Sequence, residues 1–334
     1  MWLGWREAMQ QALYGPGGFY TRGERPAAHF RTSVHASSRY AGALLALLRE
    51  VDAALGRPAR LDLVDAGAGG GELLTQLLAA ASADPALAGR VRAHAVEVAP
   101  RPAGLDERIR WRREPPPGIT GLVIASEWLD NVPLDVAESG PAGPRLLLVD
   151  PATGRERPGP AASPADLAWL ERWWPLRGRG DRAELGHPRD RAWAGLIGRL
   201  ERGLAVAVDY SHELAARPAG GTLAGYRDGR PVPPVPDGSC DVTAHVALDA
   251  CGAAGQAAGA GPPLLTGQRA ALRALGLRGA RPPLSLAGRE PSGYLAALAG
   301  AAEEAELTDP AGLGSFGWLV QPVAMQLPAV LAGL

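Results

Sequence analysis

The amino-acid sequence predicts an α/β fold in which helices cover both faces of a mainly parallel sheet. Apolar, strand-like runs alternate with helical segments along the chain, which is typical of parallel sheets with crossover helices. The first run also leads directly into a glycine-rich turn and then into a leucine-rich helix. The predicted strands are 61–65, 91–98, 109–111, 121–125, 204–208 and, near the end of the chain, 316–320.

A long helix is predicted before the first strand. Residues 38–55 repeat apolar side chains at helical spacing. Ser37 or Ser38 can cap its first turn, and Gly56 with Pro58 stops it. The chain before the first strand is therefore expected to be mainly helical.

An insertion is predicted between the fourth and fifth strands. The stretch 139–162 is rich in Pro and Gly around a predicted strand at 145–149, and helices are predicted at 164–175 and 189–202. The sequence thus predicts three regions: an N-terminal helical lid region (1–58), a core (59–138 and 203–334), and an inserted, mainly helical substrate subdomain (139–202).

Composition excludes several classes of protein. The 334 residues are 46% hydrophobic with a formal net charge of −1, so charge gives no indication of a nucleic-acid partner. All 34 basic residues are Arg, which excludes a lysine Schiff base and a P-loop lysine. Cys240 and Cys251 are expected to be reduced thiols, and the His residues lack zinc-type spacing, so no metal site is predicted. With neither a secretory signal nor a run of about 18 apolar residues, we expect a cytoplasmic protein without a membrane span.

The glycine turn after the first strand is the clearest indication of a ligand site. Nucleotide-like ligands bind where such a turn exposes the first backbone N–H groups of the next helix. The third glycine, Gly71, comes one position too early for a dinucleotide G-x-G-x-x-G pattern, and Glu72 would face a pyrophosphate. Acidic surroundings suit the cationic, phosphate-free S-adenosylmethionine (SAM) better. We therefore predict SAM as the cofactor, held by Asp65, Gly67, Gly69 and Gly71.

An acidic residue closes the second predicted strand. Glu97 lies 28 residues after Gly69, roughly the length of one crossover unit. A carboxylate at this position can accept hydrogen bonds from both hydroxyls of a nucleoside ribose. The alternative is a solvated surface glutamate. The ribose role is the favoured prediction.

Several blocks between about residue 14 and about residue 320 resemble one family. They are Tyr14-Gly15-Pro16-Gly17-Gly18-Phe19-Tyr20, His29-Phe30-Arg31-Thr32-Ser33, the glycine turn at 64–74, Ala125-Ser126-Glu127-Trp128-Leu129-Asp130-Asn131-Val132-Pro133, Val208-Asp209-Tyr210-Ser211, Gly221-Thr222-Leu223 and Asp241-Val242-Thr243-Ala244-His245-Val246. Their order and spacing resemble the MidA family (DUF185) of class I SAM-dependent methyltransferases. The chain departs from the family pattern by having His29 and His35 where acidic residues are usual.

The resemblance implies a Rossmann-like class I methyltransferase fold, with a seven-stranded sheet, an antiparallel last strand and a helical insertion. It implies SAM as cofactor, with Thr32 in a segment that closes over it. It also implies a protein substrate, because the eukaryotic branch is linked to arginine methylation on a respiratory complex I subunit. The expected activity is therefore protein arginine methylation by a monomer or homodimer.

Four polar residues are candidates for contact with the methyl acceptor. Glu127 and Asp130 follow the fourth strand, where a carboxylate pair could bind a planar guanidinium. Alternatively, Asp130 caps a following helix and Glu127 is structural. Asp209 ends the fifth strand and could face the substrate or cap the next helix. His245 could accept a proton or bond within its own turn at the start of a helix.

Other functions remain open at this point. A base-modifying methyltransferase is disfavoured because no Asn-Pro-Pro-Tyr block is present, and an α/β-hydrolase because no G-x-S-x-G elbow is present. One alternative is a NAD-dependent oxidoreductase, which the glycine spacing disfavours. The other is a catalytically weak SAM-binding assembly protein on the same fold, motivated by the changes at His29 and His35.

Overall fold

The computed structural model describes residues 1–22 and 32–334. Two compact units are present. The large-sheet unit contains Arg199–Val208, Leu264–Leu334 and the described residues within Arg31–Ser126. The small-sheet unit contains Glu127–Gly198, Asp209–Pro263 and the described residues within Met1–Phe30. The departure at His29 and its neighbours Phe30 and Arg31 lies outside the described residues.

Strands are found in both units. In chain order they are β1 (Leu3–Gly4), β2 (Leu61–Ala66), β3 (Val91–Val96), β4 (Ile109–Arg112), β5 (Ile119–Ser126), β6 (Val136–Gly140), β7 (Gly143–Val149), β8 (Glu156–Ala161), β9 (Arg182–Glu184), β10 (Leu200–Asp209), β11 (Ser211–His212), β12 (Ala224–Arg227), β13 (Arg230–Val232), β14 (Asp241–Thr243), β15 (Val246–Ala247), β16 (Leu264–Gly267) and β17 (Gly317–Val323).

Helices, like strands, are found in both units. In chain order they are α1 (Trp5–Tyr14), α2 (Ser33–Ala36), α3 (Ser38–Ala54), α4 (Glu72–Ala81), α5 (Pro85–Ala88), α6 (Pro164–Trp173), α7 (His187–Ile197), α8 (Leu248–Ala257), α9 (Gln268–Ala274), α10 (Leu284–Arg289) and α11 (Pro291–Leu307).

The large-sheet unit is built on a seven-stranded sheet in the order β16-β17-β10-β5-β2-β3-β4. The pairs β10–β5, β5–β2, β2–β3 and β3–β4 are parallel, and the last strand, β17, runs antiparallel to β16. The α/β, mainly parallel fold with an antiparallel last strand is therefore confirmed. Each of the six strands predicted for the core overlaps an observed one, and β16 is an addition that the sequence did not indicate.

The core of this unit packs leucines of two helices against the sheet. Leu44 and Leu48 of α3 and Leu74 and Leu77 of α4 are buried in one cluster with β2, β5 and β10. Burying such a side chain stabilises the fold by about 1.5–3 kcal/mol. Ser37 caps α3 by accepting the backbone N–H of Arg39, which confirms the first of the two predicted caps.

The small-sheet unit is mainly antiparallel. Its largest sheet has the order β1-β7-β6-β9, with β8 paired to β7, and its pairs are antiparallel. A three-stranded sheet (β13-β12-β14) and a parallel pair (β11–β15) complete it. Buried Trp5, Met9 and Leu13 of α1 pack with Val136 and Val149 of this sheet.

The observed units differ from the predicted division of the chain. The stretch 139–202, predicted to be mainly helical, contains β7, β8 and β9 besides α6 and α7. The helix predicted at 189–202 ends at Ile197, because Gly198 closes it and the chain enters β10 at Leu200. Residues 209–263 belong to the small-sheet unit rather than to the core unit predicted for them.

Candidate active site

The glycine turn at the carboxyl end of β2 has the geometry of a ligand-binding loop. The backbone N–H groups of Gly67 and Ala68 donate to the carbonyl of Val96 at 2.9 and 3.2 Å, which fixes the turn to the neighbouring strand. Gly67, Gly69 and Gly71 have φ of 74°, 54° and 82°. These left-handed values favour glycine, because a Cβ would be strained there. The turn then opens directly into α4.

Two carboxylates accept hydrogen bonds from backbone N–H groups of this turn. Gly69 donates to Glu97 Oε2 at 3.0 Å, and Gly70 donates to Glu72 Oε2 at 2.9 Å. The second oxygen of Glu97 accepts from Val98 and Ala99. Glu97 is therefore ordered at the ligand loop and is not simply a solvated surface residue. Carboxylates at this position repel a pyrophosphate and attract a cation.

Asp65 adds a third carboxylate beside the turn. Its side chain is 3% exposed, and among the described residues it has no hydrogen-bond partner. Burial, followed by the charges of Glu97 and Glu72, raises the pKa of Asp65 to about 8. A buried carboxyl group without partners is unfavourable unless a ligand completes it. The three carboxylates of Asp65, Glu72 and Glu97 fit the sulfonium and ammonium groups of SAM.

The segment before α3 contacts the same turn. Thr32 Oγ1 lies 2.7 Å from Nδ1 of His35, and Nε2 of His35 lies 3.9 Å from Oε1 of Glu72. Gln76 of α4 donates to the carbonyl of Val34 at 3.2 Å. Burial raises the pKa of Glu72, but the nearby His35 and hydrogen bonds from backbone N–H groups hold it below its usual value. Thr32 thus reaches the turn through His35, a residue that the sequence analysis noted only as a departure.

The small-sheet unit gathers the four residues predicted to contact the acceptor. Glu127 begins the second segment of the unit and has a left-handed φ of 52°, a strained conformation for a residue with a Cβ. Asp130 lies in a turn and Asp209 ends β10, and no helix follows either residue directly. The helix-capping alternatives for these two residues are therefore wrong. His245 also does not open a helix, since it lies between β14 and β15.

Asp130 and Asp209 each have one carboxylate oxygen that accepts a hydrogen bond and one that has no partner among the described residues. Asp130 Oδ2 accepts from Thr243 Oγ1 at 2.8 Å, and Asp209 Oδ2 accepts from the Leu129 N–H at 3.0 Å. Among the described residues, the Oδ1 atoms of both are buried without a hydrogen bond. Burial raises the pKa of Asp130, and burial together with the charge of Asp130 raises that of Asp209. These two oxygens are available to a cationic donor.

A buried arginine holds the turns that carry these carboxylates. Arg189 of α7 donates to the backbone carbonyls of Ala244 at 2.8 Å and His245 at 2.9 Å, and to the carbonyl of Asp130. Its side chain is 2% exposed. Sequence reasoning missed Arg189, because an arginine on an amphipathic helix usually faces solvent and no motif marks it.

Aromatic rings adjoin the carboxylates in the same unit. Tyr210, 41% exposed, stacks on His245 with ring centroids 5.6 Å apart. Burial, then the charges of Glu127 and Asp130, raises the pKa of Tyr210, so these groups share one electrostatic environment. His212 lies 6.3 Å from His245 between ring centroids, and its Nε2 is buried without a partner among the described residues.

Within residues 1–22 and 32–334, no group of three or more His, Cys, Asp or Glu side chains is arranged to hold a metal ion. Nor is any helix in these ranges sufficiently long and apolar to span a membrane.

The sheet and its carboxylate-lined glycine turn define a class I SAM-dependent methyltransferase fold. Residues 45–263 match the family Methyltransf_28, described as "Putative S-adenosyl-L-methionine-dependent methyltransferase", and the chain belongs to this family. This confirms the family predicted from the sequence blocks and SAM as the cofactor, and it sets aside the NAD-dependent alternative.

Solved structures show the same likeness. A COG1565 superfamily member from Burkholderia thailandensis, crystallised bound to S-adenosyl-homocysteine, is 25% identical with a TM-score of 0.81. The similarity covers 99% of this chain and 90% of that one. A native crystal structure of a COG1565 superfamily protein from the same organism gives the same values. No curated protein matches the chain.

Proposed function

We propose that the protein transfers the methyl group of SAM to an arginine guanidinium of a protein substrate. The observation that supports this most strongly is the pair of buried, unpartnered carboxylate oxygens of Asp130 and Asp209. A guanidinium carries five N–H donors in a planar fork and no acceptor, so it matches such a pair. When bound, SAM supplies a methyl group activated by its sulfonium.

The protein's own residues would then bind, orient and neutralise the acceptor. The cation would restore the ionised forms of Asp130 and Asp209, because an opposite charge lowers a carboxyl pKa. Glu127 is proposed to hold the guanidinium plane and draw positive charge from the attacking nitrogen. Arg189 would keep the backbone of Asp130 and His245 fixed while this happens, since positioning accounts for much of such catalysis.

The stacked Tyr210 and His245 rings are proposed to receive the apolar part of the substrate arginine. Arginine side chains stack readily on aromatic faces. Burial and the charge of Arg189 lower the pKa of His245, so the ring is neutral near pH 7 and can accept the proton released on methylation. A respiratory complex I subunit is one acceptor protein that the family resemblance suggests.

The test is transfer of a radiolabelled methyl group from SAM to proteins of a cell lysate by the purified chain. Acid hydrolysis should recover the label as methylarginine. The Glu127→Gln variant should lower turnover by at least about 100-fold, as expected for a group acting in the transition state. Glu171→Gln, at an exposed position of α6, is the matched control and should retain full activity.

Two results would contradict the proposal. Label recovered on another amino acid would exclude arginine as the acceptor. Tight SAM binding without transfer to any protein would favour the alternative of a SAM-binding assembly protein. Full activity of Glu127→Gln would remove that residue from the site.

A further inference from the structure

Glu72 makes an unusual contact at the start of α4. Its side chain folds back over the glycine turn, so that Oε2 accepts the N–H of Gly70 at 2.9 Å. A Cβ at position 70 would overlap this carboxylate, so glycine is required there for the contact. The Glu72 side chain is 29% exposed, which leaves it accessible to a ligand at the turn.

The other carboxylate oxygen of Glu72, Oε1, faces His35, whose ring is held by Thr32. Nε2 of His35 lies 3.9 Å from Oε1, a separation longer than a hydrogen bond. The ring of His35 is itself fixed by the 2.7 Å contact of its Nδ1 with Thr32 Oγ1. Since an ionised carboxylate has about four acceptor sites, Oε1 has capacity for a further donor.

An independent feature indicates that this donor is a cation. Asp65 is 3% exposed, lacks a hydrogen bond among the described residues, and lies close enough to Glu72 and Glu97 to feel both charges. Three carboxylates without a cation among them are mutually destabilising. The methionyl part of SAM carries two positive groups, of which only the α-ammonium donates hydrogen bonds.

We propose that Glu72 binds the α-ammonium group of SAM, with His35 as a positioning residue that orients the Glu72 carboxylate. The proposal rests on SAM as the cofactor. Glu97, by contrast, is assigned to the ribose, so the two glutamates recognise different parts of one ligand.

The test compares three ligands on the purified full-length chain. SAM and S-adenosylhomocysteine carry the α-ammonium group, whereas 5′-methylthioadenosine has the same nucleoside without the amino-acid moiety. Calorimetry gives the affinities of the first two, and displacement of S-adenosylhomocysteine gives that of the third. Glu72→Gln should weaken SAM and S-adenosylhomocysteine about tenfold or more and methylthioadenosine less than about twofold. The glutamine can still accept from Gly70, so the turn should keep its shape.

Glu97→Gln is the matched control and should weaken all three ligands by similar factors. His35→Gln should weaken SAM severalfold in the presence of Glu72 and have no further effect in the double variant with Glu72→Gln. The proposal is overturned if Glu72→Gln weakens methylthioadenosine as much as SAM, or leaves SAM binding unchanged. Additive effects of the His35 and Glu72 variants would remove His35 from the positioning role. If the wild type binds none of the ligands, the cofactor assignment itself fails.

Discussion

The carboxylate of Asp209 accepts a hydrogen bond at 3.0 Å from the backbone N–H of Leu129, 80 residues earlier in the chain. Both groups are buried in the small-sheet unit. The bond fixes the turn that follows Glu127, and it leaves the second oxygen of Asp209 without a partner among the described residues. One side chain is thus both a structural acceptor and a candidate substrate contact.

These two roles can be separated by substitution. Asp209→Ala leaves the Leu129 N–H buried and unsatisfied, so it should lower the free energy of unfolding by about 1–3 kcal/mol. Asp209→Asn keeps an acceptor oxygen and should be as stable as the wild type while losing methyl transfer. Urea unfolding and the radiolabel assay measure the two effects. Equal stability of the two variants would contradict the structural role.

Removal of the buried guanidinium of Arg189 should be more damaging. Arg189→Met removes the guanidinium donor from the carbonyls of Asp130, Ala244 and His245, together with the positive charge that lowers the pKa of Asp130. We expect a loss of about 3–5 kcal/mol in the free energy of unfolding. A matched control is Arg191→Met on the same helix, at an exposed position, which should change stability by less than about 0.5 kcal/mol. Similar values for the two variants would be inconsistent with the observed contacts.

The tautomer of His212 follows from its neighbour. Arg217 Nη1 lies 2.6 Å from Nδ1 of His212, and a guanidinium can only donate, so Nδ1 is the acceptor and Nε2 carries the proton. Burial, then the charge of Arg217, lowers the pKa of His212 to about 3. Nitrogen-15 NMR should show a neutral Nε2–H ring throughout the range from about pH 5 to 8. A ring that titrates near pH 6.5, or a proton on Nδ1, would contradict this geometry.

Asp65 should make the stability of the ligand-free protein depend on pH. Its pKa is raised from 3.8 to about 8, so the native state binds this proton more tightly than the unfolded state. The contribution is present at low pH and is lost as the pH rises from about 4 to about 8. The free energy of unfolding, relative to Asp65→Asn, should therefore fall by up to about 1.4 kcal/mol per pH unit in that window. Urea titrations of the wild type and Asp65→Asn at several pH values measure this difference in the free energy of unfolding. If the two free energies depend on pH in parallel, the raised pKa is refuted.

The parallel sheet could be predicted because its central strands are buried on both faces. Residues 204–208 form a continuous apolar run, and 61–66 are apolar or small apart from Asp62 and Asp65, as expected for buried parallel strands. The short strands β9, β12 and β13 could not be predicted, since they are rich in Arg, Gly and Pro. In addition, β9 is defined by its pairing with β6, which lies far earlier in the chain.

The candidate site, like the fold, could be predicted only in part from the sequence. Asp65 and Glu97 could be placed from the strands that they end, because strand ends share one edge of a parallel sheet. Arg189 and the His35–Glu72 contact could not be predicted, because each depends on tertiary contacts between segments that no shared sequence pattern connects. The departure from the family pattern at His35 was the one visible signal of that contact, and the sequence did not indicate Glu72 as its partner.

Titration of SAM into the purified protein, with Gly69→Val beside the wild type, tests the central claim most directly. Gly69 has a φ of 54° and donates to Glu97, and a β-branched residue there is strained and would displace the turn. The structure predicts micromolar binding by the wild type and loss of at least about 100-fold in the variant. Absence of binding to the wild type, or equal binding by both proteins, would contradict the assignment of the glycine turn as the SAM site.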